Sequence, residues 1–238
     1  MKKRHEEKKE LTLEQKKLDT DLWIIAIVSG IVYMCYAMFS KELSLFMKNV
    51  DIHVLLRLLV VAGFQYGLAG LGITIVCIFR RLSFGSFGLV KNNFFKAIIG
   101  TILCFVPYIL FRFISGQFAS YQPFSVLMTE EVLQSAVPVS IIGMIIIAIA
   151  WGFFEGFNYA VVSDIINKRY PSKKWWIDIG AIVCSIMCVV FHPFNTSFLG
   201  LMEILVNIVS IYGMLLVKKK TGNAWGCVFA FCLIWNAM

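Results

Sequence analysis

Three long apolar stretches constrain this chain more than any other feature. Leu58–Phe79, Val132–Phe154 and Phe198–Val217 each run for about 20 residues with few or no charges. A helix rises about 1.5 Å per residue, so each can cross a hydrocarbon core of about 30 Å. Leu22–Phe39 is slightly shorter and uncharged, while Ala97–Phe111, Ile177–His192 and Ala224–Met238 are shorter still and can lengthen at an end. The pattern predicts an all-α protein, a polytopic membrane helix bundle of about seven transmembrane helices. Composition agrees: 59% of residues are hydrophobic and 15% are charged, against about 45–50% and about 25% in soluble domains. Disorder, a collagen-like fibre and a disulfide scaffold are excluded on the same ground.

The few charges orient the bundle. With the N-terminus cytoplasmic, segments 1–21, 80–96, 164–176 and 218–223 lie inside and hold 18 of the 22 basic residues. Lys/Arg bias in short loops is the main determinant of orientation, so a cytoplasmic N-terminus and a multi-pass location in the cell membrane are expected. The Trp175–Trp176 pair beside Lys173 and Lys174 reads as an interfacial anchor. The net charge of +8 then reports loops facing an anionic leaflet; the partner is the lipid bilayer and no nucleic acid is required. His53, Arg57 and Arg112 fall near the outer boundary, where snorkelling accounts for them.

Residues 1–21 carry 13 of the 36 charged side chains and read as a charged cytoplasmic N-terminal segment, with 22–238 as the transmembrane helical domain. The segment is too acidic and too long for a signal-peptide leader, so the first span is expected to be retained. All seven cysteines, an odd number, lie in apolar stretches, which argues against a disulfide framework.

Ionisable and amide groups inside spans are costly and mark function by default. Here they are Glu155 in the fourth span, His192 at the end of the fifth, Glu203 and Asn207 in the sixth, and Asn236 in the seventh. Counted from the basic clusters, Glu155 lies about 18 Å above the inner boundary, and His192 and Asn236 about 24 Å. A polar chamber shared by spans four to seven is therefore expected. Glu155 and Asn158 at i,i+3, and Cys232 and Asn236 at i,i+4, each share a helix face. Pro193 follows His192 and should end or kink the fifth helix there.

A carboxylate and an imidazole together can activate water, and an amide such as Asn236 can stabilise an oxyanion. That is the outline of an intramembrane hydrolase. The same residues also suit interhelical hydrogen bonding, or a proton relay through Glu155, Glu203 and His192 in a small proton-coupled transporter. Zinc is a candidate cofactor, with His192, Cys188 and Cys232 as ligands and Glu155 as a fourth, although neither CxxC nor HExxH occurs.

The segment Trp151–Asp164, WGFFEGFNYAVVSD, is followed about 30 residues later by a span ending in FH, and a short terminal span closes with CLIWN. The loop RRLSFGSFGLVKNN precedes a Lys-flanked span. Over about residues 80–236 this order resembles the CPBP family, the CAAX prenyl protease and bacteriocin-processing membrane peptidases. The resemblance implies catalysis by Glu155 and His192, which activate water, and by Asn236 as oxyanion donor. Asn158, Cys232, Glu203 and Asn207 would support them, and the substrate would be a membrane-bound or amphipathic peptide. Of the family's EExxxR, FxxxH and HxxxN motifs, Gly156 stands at the second glutamate, Ala160 at the arginine, Cys188 at the phenylalanine and Cys232 at the second histidine. A catalytically degenerate relative, binding a peptide or acting in bacteriocin immunity, is the alternative.

Overall fold

A computed structural model describes residues 11–174, 176–191 and 195–238. The regular structure of those residues is all helical, with no strand among them. The helices are α1 (Leu13–Met38), α2 (Ser40–Lys48), α3 (Val54–Arg80), α4 (Phe94–Ile114), α5 (Thr129–Gln134), α6 (Val139–Arg169), α7 (Ile179–Phe191), α8 (Phe198–Thr221) and α9 (Trp225–Leu233). Five of them, α1, α3, α4, α6 and α8, are long and apolar enough to cross a membrane, while α7 and α9 are apolar but shorter. This is the length and composition of a multi-pass membrane protein. Large apolar side chains such as Trp23, Ile27, Phe95, Ile114 and Phe198 point away from the bundle, as expected where lipid is the solvent.

Local chemistry sets the helix ends. Thr12 and Gln15 form a capping box at the start of α1, each side chain accepting from the other's backbone N–H at 3.2 and 3.0 Å. Helix α8 starts on Ser197, whose hydroxyl accepts from Gly200 N at 3.2 Å, and ends on Gly222 at φ 67°. Asp178 starts α7 by accepting from Ala181 N at 2.6 Å.

Polar contacts gather opposite helix ends into two layers. In one, Asp21 pairs with Arg80 and Asp19 with Arg169, at 2.7 and 2.6 Å. Asp164 takes Lys168 at 2.8 Å and also Lys218, and Asp178 takes Lys219 at 3.2 Å. The loop before α4 is strapped to the turn before α9, with the Asn223 amide donating to Val90 O and Asn92 O at 2.7 Å each. At the other end Arg57 grips Glu131, and Arg112 lies 3.9 Å from Glu203.

Residues 13–21 of the charged N-terminal segment are the first turns of α1, and their aspartates bind the bundle. Two expectations change. The fourth span begins at Val139, because Val132 belongs to the short helix α5 and Pro138 intervenes after a cis Val137–Pro138 bond. Arg57 does not snorkel outward. It is 3% exposed, and besides Glu131 it donates to Met47 O and Ile52 O at 2.6 and 2.8 Å, tying the α2–α3 loop and α5 to the bundle.

Candidate functional site

Helices α3 and α6 each contain a π-helical turn, at Gly67–Leu71 and Ala148–Phe154. A π turn widens the helix, frees backbone groups and is often found at functional sites. The two turns pack against each other. Gly70 lies under Phe154, where a Cβ would fall 2.6 Å from the Phe154 Cδ1 atom, and the Tyr66 and Phe154 rings meet edge-on at 4.8 Å. Side chains take up the carbonyls of the Gly67–Leu71 turn. Ser29 donates to Leu68 O at 2.7 Å, Asn158 to Ala69 O at 2.6 Å and Thr74 to Gly70 O at 2.9 Å. Asn158 therefore bridges the two helices, its donor spent on backbone.

Glu155 is the first residue after the second π turn, and it is half-buried. Its Oε2 accepts from Gln65 Nε2 at 3.2 Å. Among the described residues the Asn236 amide is a second side-chain hydrogen-bonding neighbour, and Asn236 Nδ2 also reaches Phe231 O and Trp151 O at 3.2 and 3.4 Å. Asn236 sits in the short 3-10 turn Trp235–Ala237 that follows α9. Stacked rings hold that segment in place: Trp235 lies on Tyr108 at 5.3 Å, and Phe231 on Tyr159 at 5.1 Å. From the loop after α4, Gln122 N donates to Ala237 O at 3.0 Å, Tyr121 Oη to Leu233 O at 2.9 Å, and Ser125 N to Asn236 O.

Among the described residues the amides around Glu155 come from α3 and from the end of α9. Glu203 faces Arg112 in the layer at the end opposite the Asp164–Lys218 contacts. Asn207 turns inward on α8, but its buried Oδ1 has no hydrogen-bond partner among the described residues. His192 lies outside the described residues. Cys188, on α7, has the Tyr159 hydroxyl as its side-chain neighbour. Cys232 presses its thiol against Gly152. None of the seven cysteines is in a disulfide. Among the described residues no three His, Cys, Asp or Glu side chains gather as a metal would need. Cys188 and Cys232 are committed to separate packing contacts, so the described part supplies no zinc donor set.

The positions where this sequence departs from the family motifs are packing positions. A Cβ at Gly156 would lie 2.5 Å from Cys227 O and 2.9 Å from Val228 Cα, both backbone atoms of α9. Ala160 is fully buried. Ala148, Gly152, Gly156 and Ala160 form a small residue every fourth position, a stripe that lets helices approach closely. Gly226 does the same from α9 toward α4, where a Cβ would fall 2.8 Å from Ala97 O.

Sequence reasoning missed Gln65. The rule that singled out Glu155, a polar group inside an apolar span, applies equally to an amide between Phe64 and Tyr66. No family model matches this chain, and comparison with curated proteins and with solved structures gives no match.

Proposed function

We propose that this chain is a multi-pass protein of the cell membrane with seven spans, its N-terminus and basic layer facing the cytoplasm. We further propose that it is a CPBP-like intramembrane peptidase. Alternating helix direction and the Lys/Arg-rich layer support the topology. One observation carries the functional reading. Seven carboxylates among the described residues are not fully exposed, and six of them have a cation: Asp19, Asp21, Glu131, Asp164, Asp178 and Glu203. For Glu155 the hydrogen-bonding side chains among the described residues are neutral amides, and no described cation pairs with it. An intramembrane acid without a counter-ion contributes nothing to stability by pairing, and such groups are kept for chemistry or transport.

In the peptidase reading Glu155 takes a proton from water, helped by His192, and the water oxygen attacks the carbonyl of a membrane-associated peptide. Asn236 supplies an amide donor to the oxyanion. The relay of a proton-coupled transporter loses support, because Glu203 is engaged with Arg112 in the outer layer.

The test is Glu155→Gln in purified protein, with membrane-anchored peptides as substrates and products read by mass spectrometry. Cleavage should fall by at least about a hundredfold, the scale of a lost general base. Unchanged cleavage at equal expression sinks the peptidase reading. A second reading has its own support: Gly156, Ala160 and Cys232 are committed to helix packing, which favours a degenerate relative that binds a peptide without cutting it. Peptide binding by the parent protein without any cleavage would select that reading.

A further inference from the structure

The geometry points to Gln65 as a positioning residue for Glu155, an inference that rests on Glu155 being the working acid. Gln65 lies in the middle of α3 between Phe64 and Tyr66, and its hydrogen bond among the described residues goes to Glu155 Oε2 at 3.2 Å. A polar amide in an apolar span is costly unless it is bonded, so its placement opposite the carboxylate needs a cause. The two π turns provide one. Gln65 stands just before the turn Gly67–Leu71, and Glu155 just after the turn Ala148–Phe154. Each π turn shifts the helical register, rotating the residues on one side of it relative to those on the other. The Tyr66–Phe154 ring contact and the close seat of Gly70 under Phe154 fix how the turns meet. Gln65 is thereby held against one carboxylate oxygen, and the carboxyl plane cannot rotate freely. With Asn236 as the second amide, α3 and the α9 end grip the acid from two sides.

Interhelical adhesion alone would leave the acid's chemistry unchanged, so the test reads that chemistry without needing a substrate. The full-length protein in nanodiscs is treated with dicyclohexylcarbodiimide, which adds to protonated carboxyl groups in apolar surroundings, and Glu155 modification is followed by peptide mass spectrometry over a pH series. A hydrogen bond donated to a carboxylate favours its charged form. Gln65→Met should therefore keep Glu155 reactive to higher pH, with about tenfold more modification at matched alkaline pH, as expected for loss of one charge-assisted bond. Gln65→Asn, a shorter amide, should fall between Met and the parent. Asn158→Leu removes another hydrogen bond between the same two helices and should lower stability while leaving the profile where it was.

Identical profiles for Gln65→Met, Gln65→Asn and the parent overturn the proposal, as does an equal shift in Asn158→Leu. Should Gln65→Met fail to fold, Gln65→Asn and Asn158→Leu still decide it. Failure of the peptidase reading would look different: the Gln65-dependent profile would be present while Glu155→Gln still cleaved peptide.

Discussion

The basic layer and the mid-bundle site use carboxylates in opposite ways. In the basic layer Asp19, Asp21, Asp164 and Asp178 each hold a lysine or arginine, and each contact joins segments distant in sequence. Asp178 is fully buried; its Oδ1 accepts from Asn167 Nδ2 at 2.7 Å and from Ala181 N at 2.6 Å, and its Oδ2 lies 3.2 Å from the Lys219 ammonium. In the middle of the bundle Glu155 has Gln65 and Asn236 and, among the described residues, no cation. The first arrangement spends its charges on holding helix ends together. The second leaves a carboxyl group without a described cation inside an apolar span, where an acid costs most, which is the mark of a group retained for what it does.

Four substitutions and one control probe this contrast in mixed-micelle unfolding. The largest loss should come from Gly156→Ala, whose Cβ meets α9 backbone that cannot move aside, at about 3 kcal/mol. Gly63→Ala, where nothing lies within 4 Å, should stabilise instead and serves as the control. Next comes Asp178→Ala, at about 2 kcal/mol, because a helix cap and a buried amide partner are lost together. A fall no larger than that of an exposed acid such as Glu14 would break the view of the basic layer as a structural network. Glu155→Gln should lie within about 1 kcal/mol of the parent, neutral or stabilising, since a neutral amide replaces an uncompensated acid. A loss as large as that of Asp178→Ala would mean that the two regions do not differ in kind. Lys168→Ala, in a half-exposed i,i+4 pair, should change stability least, by under about 0.5 kcal/mol.

Much of the architecture was readable along the chain because the signals are local. An apolar run of given length, a Lys/Arg cluster at its end and a capping residue act through neighbouring residues. They announce helices α1, α3, α4, α6 and α8 without knowledge of partners. Glu155 and Asn236 were legible for the same reason, as polar residues in apolar runs. Gln65 was equally visible in type but not in role, since its partner lies 90 residues away. The π turns escaped the sequence because they depend on how α3 and α6 press on one another. Glu203 and Asn158 stood at plausible levels and faces, yet Arg112 and the Ala69 carbonyl claimed them.

The sequence by itself determined that this is a helical membrane protein, where its long helices run, and that an acid stands inside one of them. Hydrocarbon leaves a chain few options, so apolar length alone carries that far. The tertiary structure decided which polar groups meet. It paired six of the part-buried acids with cations, brought Gln65 and Asn236 to Glu155, and assigned Gly156, Ala160 and Cys232 to packing. Those outcomes turn on helix rotation and crossing, which depend on contacts between residues far apart in sequence and have no counterpart in its local periodicity.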